Sequence, residues 1–415
     1  MSAFPRVLIV GASLAGLRTA EAVRAALPEA RITLIGDEPH APYNRPPLSK
    51  EAVTRLARDQ DAADDVYETL RLRSRLSDAD VRLGCGVTSV DAPNRTVTLG
   101  SGDVLPFDWL VAATGLRPRR LPMTGMKARR HVIRSFDDAR RLAPALERGA
   151  RLVVVGGGFI GCEIASTAAA LGLSVTIVGA VPHLMHEALG PRVSQAMGTL
   201  HRAQGVAVVT GHSVAALEDG GDKVNVVLED GRALQADLLV EAIGSLPNVE
   251  WLTGCGLNLS DGILCDADMR ARGQARILAV GDVARFPNAL FDATPRRVEH
   301  WCVPGQTARR AAQTIAAGTQ GGQGDAPFAP MPSFWSVQND LRLQSFGAPS
   351  LADASEVLTG NLGDLRQGPV VVEYHRNGAV IGILGLGASP QMLAPHQARL
   401  NAALMDNAKT VQQAL

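Results

Sequence analysis

Short runs of branched apolar residues alternate along this chain with alanine-rich stretches of helical spacing, and the alternation is sharpest in two places. Arg6-Val-Leu-Ile-Val10 is a continuous apolar run of the kind a strand covered on both faces requires. Leu14–Ala26 follows with helical periodicity, and Arg31–Ile35 returns as a second strand. The same order recurs around residue 156, with residues 174–178 as the returning strand. In each copy a glycine-rich turn separates strand from helix, Gly11-Ala-Ser-Leu-Ala-Gly16 in the first and Gly156-Gly-Gly-Phe-Ile-Gly161 in the second.

Elsewhere the pattern predicts a proline-stiffened stretch at 42–50, a polar helical region to about Ser77, and short strands near 81–83, 87–90 and 96–99. Residues 109–115 read as a buried strand closing on Ala113, Thr114 and Gly115, and 238–244 repeat that ending with Gly244. Residues 277–282 form a further buried strand, with Gly281 and the carboxylate of Asp282 at its carboxyl end, where open parallel sheets bind ligands. Residues 318–332, rich in glycine, proline and glutamine, read as a linker. Strands at 341–346, 370–374 and 379–384 and a final helix complete the prediction.

Each glycine turn has a physical reading. The first glycine permits the tight turn, the second lets backbone approach a pyrophosphate, the third lets helix pack on strand, and the helix N-terminus supplies N–H donors. One copy is weak evidence; two complete strand-helix-strand units point to a flavoenzyme holding two dinucleotides. The expected fold is therefore α/β, with two Rossmann-like dinucleotide-binding domains of glutathione-reductase-like organisation. Residues 1–117 and 245–325 form a discontinuous FAD-binding domain, 118–244 an inserted NAD(P)H-binding domain, and 326–415 a small α+β C-terminal domain.

Both copies depart from the ideal. Ser13 replaces the middle glycine of the first, and the acid expected about 20 residues on is Asp37 or Glu38, with Asp37 favoured as nearer the strand end. In the second, Gly179-Ala180 stands where an acid would hold the adenosine ribose. Three readings stay open: NADPH, with His183, Arg192 or His201 near a phosphate; relaxed specificity; or weak nicotinamide binding. The second nucleotide is thus NADH or NADPH, with NADH favoured.

With 415 residues, 46% of them hydrophobic, the chain can build two or three cores. Lys+Arg and Asp+Glu both number 41, so no global field recruits nucleic acid or an anionic membrane. No apolar run reaches a membrane span, and a first strand beginning at Arg6 leaves no room for a signal peptide, so a soluble, cytoplasmic protein is expected. The five cysteines show neither C-x-x-C nor metal spacing and read as free thiols; His131, His183, His186 and His212 show no metal-like spacing, and no metal is expected. No C-x4-C pair occurs in residues 38–80, so electrons must leave the flavin without a protein dithiol.

Together the two glycine turns, Arg45-Pro-Pro-Leu-Ser-Lys50, Ala113-Thr-Gly115 before Arg117-Pro, Glu163, Gly244 to Asn248, Gly281-Asp282, Val298-Glu-His-Trp301 and Phe334-Trp-Ser resemble the FAD-dependent ferredoxin reductases of the putidaredoxin reductase, dioxygenase ferredoxin reductase and rubredoxin reductase type. The resemblance covers nearly the whole chain. It implies that Ala15, Asp37, Arg45, Lys50, Val87, Arg134, Asp282 and Trp301 contact FAD, beside Gly11, Ser13, Gly16, Ala113, Thr114, Gly115 and Gly281. It also implies that Gly156, Gly158, Ile160, Gly161, Glu163 and Gly244 line the nicotinamide site.

The implied activity is NAD(P)H:ferredoxin oxidoreductase, taking hydride into FAD and delivering single electrons to an iron-sulfur ferredoxin that serves a cytochrome P450 or ring-hydroxylating dioxygenase. Three residues carry the expected chemistry. Lys50 lies near flavin N5, paired with Glu163, and Trp301 opens a helix running to about Ala317 whose dipole faces the flavin. Arg296, Arg297, Arg309 and Arg310 are candidates for a local basic patch that orients an acidic ferredoxin, or are ordinary solvated arginines. Besides Gly179, two positions depart from the family: Asn44 where an acid is frequent, and Val337 where an Asp follows the Trp-Ser pair. They keep two alternatives in view, a diverged FAD-dependent oxidase or biosynthetic oxidoreductase acting on a small molecule, and a non-catalytic flavin-bearing interaction protein.

Overall fold

A computed structural model describes residues 4–76, 78–320 and 328–414. The chain opens with β1 (Arg6–Val10), α1 (Leu14–Ala26) and β2 (Arg31–Ile35); β1 and β2 run parallel in the register Arg6↔Arg31 to Val10↔Ile35. From Val7 to Val10 the strand is buried throughout, as a strand between two covered faces must be. β3 (Asp80–Arg82) extends the far edge and β4 (Trp109–Ala112) pairs on the other side of β1.

Between β2 and β3 lie a 3-10 turn at Pro46–Ser49, α2 (Glu51–Arg58) and α3 (Ala63–Leu70). The helical reading to residue 77 therefore overshoots; Ser77 itself lies outside the described residues. Helix stops at Leu70 because the chain turns back to pair with the proline stretch, Leu72 N donating to Pro42 O and Asn44 N to Leu70 O. An antiparallel ribbon follows at Val87–Asp91, Thr96–Leu99 and Val104–Pro106.

The second unit contains β5 (Arg130–His131), α4 (Phe136–Leu142), β6 (Arg151–Val155), α5 (Phe159–Ala170), β7 (Ser174–Gly179), α6 (His186–Ala203), β8 (Ala207–Thr210) and β9 (Leu238–Glu241). Its strands form a parallel sheet in the order β8-β7-β6-β9-β5. Between β8 and β9 the periodicity reading missed a three-stranded antiparallel sheet spanning 214–236. β10 (Ile277–Ala279) then pairs in parallel with β4, so the first sheet reads β10-β4-β1-β2-β3 and draws strands from both sides of the second unit. Where the chain crosses between the sheets, Leu116–Pro118 and Ser245–Pro247 form a two-stranded antiparallel ribbon.

α7 (Val303–Gln320) packs against α1. It absorbs the start of the expected linker: Gly318 is there because its missing side chain lets the helix lie on the Trp109 indole, 2.6 Å from where a Cβ would stand. Residues 321–327 of that expected linker lie outside the described residues. Last comes an antiparallel sheet of β11 (Ser333–Gln338), β12 (Leu341–Gly347), β13 (Ala354–Thr359), β14 (Val370–Arg376) and β15 (Ala379–Leu386), ordered β11-β12-β15-β14-β13, with α8 (Pro390–Ala414) on one face.

One apolar cluster ties the sheets together, running from Leu48 and Val53 through Ile164 and Ile177 to Leu343 and Leu384. A buried polar knot pins the crossover: Arg130 Nε donates to Glu241 Oε1 at 2.6 Å and its other nitrogens to the carbonyls of Leu121 and Met123, while Glu241 Oε2 accepts from Leu121 N at 3.1 Å and from Arg120. Breaking such a pair from one side strands a buried charge, at about 3–5 kcal/mol. Because Arg120 remains, Arg130→Ala should cost about 3 kcal/mol, read as a lowered urea midpoint by circular dichroism; a change under about 0.5 kcal/mol would contradict this role.

Candidate active site between the two glycine turns

The two glycine turns repeat one piece of steric arithmetic. A Cβ on Gly11 would stand 2.2 Å from Ala113 O, and one on Gly156 would stand 2.1 Å from Ala242 O. Both glycines have positive φ, +117° and +114°. One turn further, Gly16 and Gly161 let each helix seat on the carbonyl of its own first glycine, where a Cβ would lie 1.9 and 2.0 Å away. Gly16, Gly156, Gly161 and Gly281 line neither cavity described below; they act from behind, by permitting close approach.

A cleft of about 740 Å³ opens in front of the first turn, lined by Gly11, Ser13, Ala15, Asp37, Arg45, Lys50, Val87, Ala113, Thr114, Gly115, Arg134, Ile160, Glu163, Asp282 and Trp301. These expected site residues thus converge on one space. A second cavity of about 500 Å³ contains Gly158, Ile160 and Gly244. Phe159, Ile160, Arg134, Asp282, Glu299, His300 and Phe334 line both, so the two spaces adjoin.

The donor set fits FAD and a second dinucleotide. Ser13 sits at the N-cap of α1 but makes no capping bond; its Oγ accepts from Arg45 Nε at 3.4 Å, which leaves the first-turn amides of α1 open to an anion. α5 likewise starts at Gly158, which has no side chain to cap it and open space around its Cβ position. Arg45 is held over the Tyr43 ring at 5.0 Å, bonded to Glu38 at 2.5 Å and to Arg134 O at 2.7 Å. Glu38 is thus taken by Arg45 and by Tyr43 Oη, whereas Asp37 has no hydrogen-bond partner among the described residues and faces the cleft. That division favours Asp37 as the ribose acceptor. At the cleft floor Asp282 pairs with Arg134 at 3.2 Å; burial pushes its carboxyl above the usual range, with Arg134 opposing.

The expected ion pair is formed. Lys50 Nζ lies 2.6 Å from Glu163 Oε2 and donates to Pro46 O at 2.9 Å. Ser49 Oγ donates to Oε2 at 2.6 Å and Ser336 Oγ to Oε1 at 2.5 Å, two residues that lie inside quoted motifs but were given no role among the expected site residues. The wall between the cavities joins three quoted motifs whose meeting the sequence did not show: Phe334 stands 4.9 Å from Phe159 and 5.1 Å from His300.

These details decide the family. Residues 5–321 match the pyridine nucleotide-disulphide oxidoreductase family model. The chain belongs to that family. It is 35% identical to the ferredoxin reductase component of chlorobenzene dioxygenase from Cupriavidus sp. (strain PS12), over 92% of this chain and 89% of that one. Putidaredoxin reductase from Pseudomonas putida is 36% identical over 84% of this chain and 81% of its own. Among solved structures, a covalent putidaredoxin reductase–putidaredoxin complex superposes with a TM-score of 0.85 at 31% identity, covering 96% of this chain and 93% of that one. The pyridine nucleotide-disulphide oxidoreductase family implies FAD and a nicotinamide nucleotide as cofactors, in keeping with the donor set above.

Other expectations change within this family frame. His201 cannot reach a ribose phosphate: it is fully buried and bonded to Gln338 at 3.0 Å. Arg192 turns instead to Ser355 O. The suggested basic patch is largely neutralised, since Arg296 pairs with Asp292, Arg297 with Asp261 and Glu299, and buried Arg310 with Asp268. Among the described residues no helix is long and apolar enough to cross a membrane, and no group of three or more His, Cys, Asp or Glu could hold a metal.

His300 gives the aromatic wall a pH signature. Burial pushes its imidazole down to about 4 against an ordinary 6.5, with Glu299 pulling the other way. Above pH 6.5 neither state takes the proton; below it the unfolded chain binds a proton that the folded protein refuses, so stability is lost as pH falls toward 4, by up to about 3 kcal/mol. Comparing urea midpoints at pH 7 and pH 4.5, His300→Gln should lose a clear part of the wild-type decline; an identical decline in both proteins would remove His300 as its source.

Proposed function

We propose that this protein is an FAD-dependent NADH:ferredoxin oxidoreductase, passing electrons singly to an iron-sulfur ferredoxin that feeds a ring-hydroxylating oxygenase or cytochrome P450. The observation that carries the reading is a continuous crevice joining two open helix N-termini, in which the cysteines stay free and Cys85 alone among them lines the wall. A dithiol exit has no residues to use there. Free thiols also suit the reducing cytoplasm, to which we assign the protein.

FAD, when bound, supplies the conversion from paired to single electrons. The chain's own residues do the rest. First-turn amides of α1 with Arg45 and Arg134 hold the pyrophosphate side, Asp37 and Asp282 accept from sugar and ribityl hydroxyls, and the N-terminus of α5 receives the second pyrophosphate. Lys50 brings a positive charge into a site screened from water, kept there by Glu163. Phe159, Phe334 and His300 wall the junction against solvent. Trp301 and Trp335, both lining the cleft, border its open side.

Anaerobic mixing with NADH should bleach the flavin absorbance, and added ferredoxin should restore it with one-electron stoichiometry. No bleaching by either nucleotide would end the proposal.

For nucleotide choice, Gly179 is the position to test. Its φ is ordinary and a Cβ would meet only van der Waals neighbours, Thr210 Cγ2 at 3.7 Å and Gly157 N at 3.8 Å, so a side chain can be carried without strain. A carboxylate there would accept from ribose hydroxyls and repel a 2′-phosphate. Gly179→Glu should raise the NADH:NADPH ratio of kcat/KM by about tenfold, roughly 1.4 kcal/mol. Unchanged constants for both nucleotides would refute the assignment.

A further inference from the structure

We propose that Ser336, reaching in from the C-terminal sheet, is a positioning residue that orients the Glu163 carboxylate and, through it, the charge of Lys50 at the flavin. The inference rests on the FAD reading above and adds to the machinery a part of the chain that the family model, ending at residue 321, does not cover.

The carboxylate's two oxygens are held from different parts of the chain. Oε2 takes Lys50 and Ser49, both from the proline-stiffened segment before α2. Oε1 takes Ser336 at 2.5 Å, its one hydrogen-bond donor among the described residues. Glu163 is 7% exposed and Ser336 1%, so the bond between them is buried. Period-two alternation explains how β11 reaches it: Trp335 and Val337 point out and are exposed, while Ser336 and Gln338 point in.

The serine is itself set from behind. Gln338 Nε2 donates to Ser336 Oγ at 3.1 Å, which occupies a lone pair and turns the hydroxyl proton to Glu163. Gln338 Oε1 can only accept, so His201 Nε2, 3.0 Å away, carries the hydrogen. His201 Nδ1 then accepts from Asn339 Nδ2 at 3.4 Å. Burial, which pushes the His201 imidazole below its ordinary value, keeps it in this neutral form. The result is a run of donors from Asn339 through His201, Gln338 and Ser336, all pointing the same way and ending on the carboxylate. Such a run polarises each member and makes the last bond stronger than an isolated hydroxyl contact. Three buried polar side chains, with the half-buried Asn339 behind them, would be a costly way merely to fill the joint between α5, α6 and β11.

Without the serine hydroxyl, Oε1 keeps its negative charge but loses the dipole aimed at it. The local potential at Lys50 then becomes more negative, which disfavours adding electrons to the nearby flavin. In flavin-loaded protein, Ser336→Ala should shift the oxidised:reduced equilibrium about tenfold toward oxidised, a fall of about 30 mV for a two-electron couple. kcat with NADH should fall severalfold at nearly unchanged KM. Ser336→Cys, a weak donor of similar size, should move the same way, and Ser336→Thr should restore both values. If the alanine variant does not fold, the cysteine variant carries the test. A flavin-loaded Ala or Cys variant with wild-type potential and kcat would overturn the role of Ser336 alone. Wild-type protein that takes up no flavin would instead overturn the cofactor reading.

Discussion

The ion pair between Lys50 and Glu163 ties the segment before α2 to α5 on the wall of the first cleft. Taking both charges out of water costs several kcal/mol per ion, and mutual attraction seldom returns more than that. The pair is therefore a weak source of stability and a strong source of register. It binds the Pro46–Ser49 turn to the first turns of α5, whose Phe159 and Ile160 line both the cleft before α1 and the cavity before α5. Thr167 Oγ1, donating to Ser49 O at 2.7 Å, fastens the same turn to the same helix one step further along. The apolar cluster that includes Leu48 and Ile164 surrounds this polar seam and supplies the cohesion that the ions do not.

Backbone proximity is the second constraint, and it was imposed twice. In each half the carbonyl of an alanine just past the neighbouring strand, Ala113 or Ala242, occupies the space where the first glycine would carry its Cβ. The chain must then turn away at once, which it does through Gly115 and Gly244, both with positive φ. The paired endings Ala-Thr-Gly and Ala-Ile-Gly are thus the other half of the glycine fingerprints. Where the strands cannot approach this closely, the helix N-terminus cannot reach the crevice.

These two constraints explain what was legible before the structure. β1, α1 and β2 follow from unbroken apolar runs and a helix-period stretch, because buried parallel strands leave strong one-dimensional traces. So do Lys50 and Asp282, one fixed by flanking prolines and the other by its place at the end of a buried strand. What stayed hidden depends on contacts across the chain. The helix reading past Leu70 failed because pairing with residues 42–44 outweighs local propensity. His201 looked free to meet a phosphate, yet it is buried against Gln338, a relation 137 residues long that no local pattern reports. β11 escaped notice because two of its three inward residues, Ser336 and Gln338, are polar and its outward face carries Trp335 and Val337, so its alternation does not read as apolar-in and polar-out. Polar residues inside are chosen by their partners, and the partners come from distant segments.

The same strand bears on the departure at Val337. In the pairing of β11 with β12, Val337 stands opposite Arg342 and Trp335 opposite Gln344. A carboxylate at 337 would face the guanidinium directly across the strands and hold its charge at the surface of this chain. With valine there, Arg342 is exposed and has no ion-pair partner among the described residues, unlike Arg296, Arg297 and Arg310. The rim beside the cleft therefore combines an exposed tryptophan, an exposed valine and an uncommitted cation. On the reading proposed above, an acidic ferredoxin would meet an apolar contact and an arginine whose charge is available to it. The substitution then alters how the rim pairs with a partner and leaves the flavin side of the strand untouched, because alternation keeps Val337 on the face opposite Ser336.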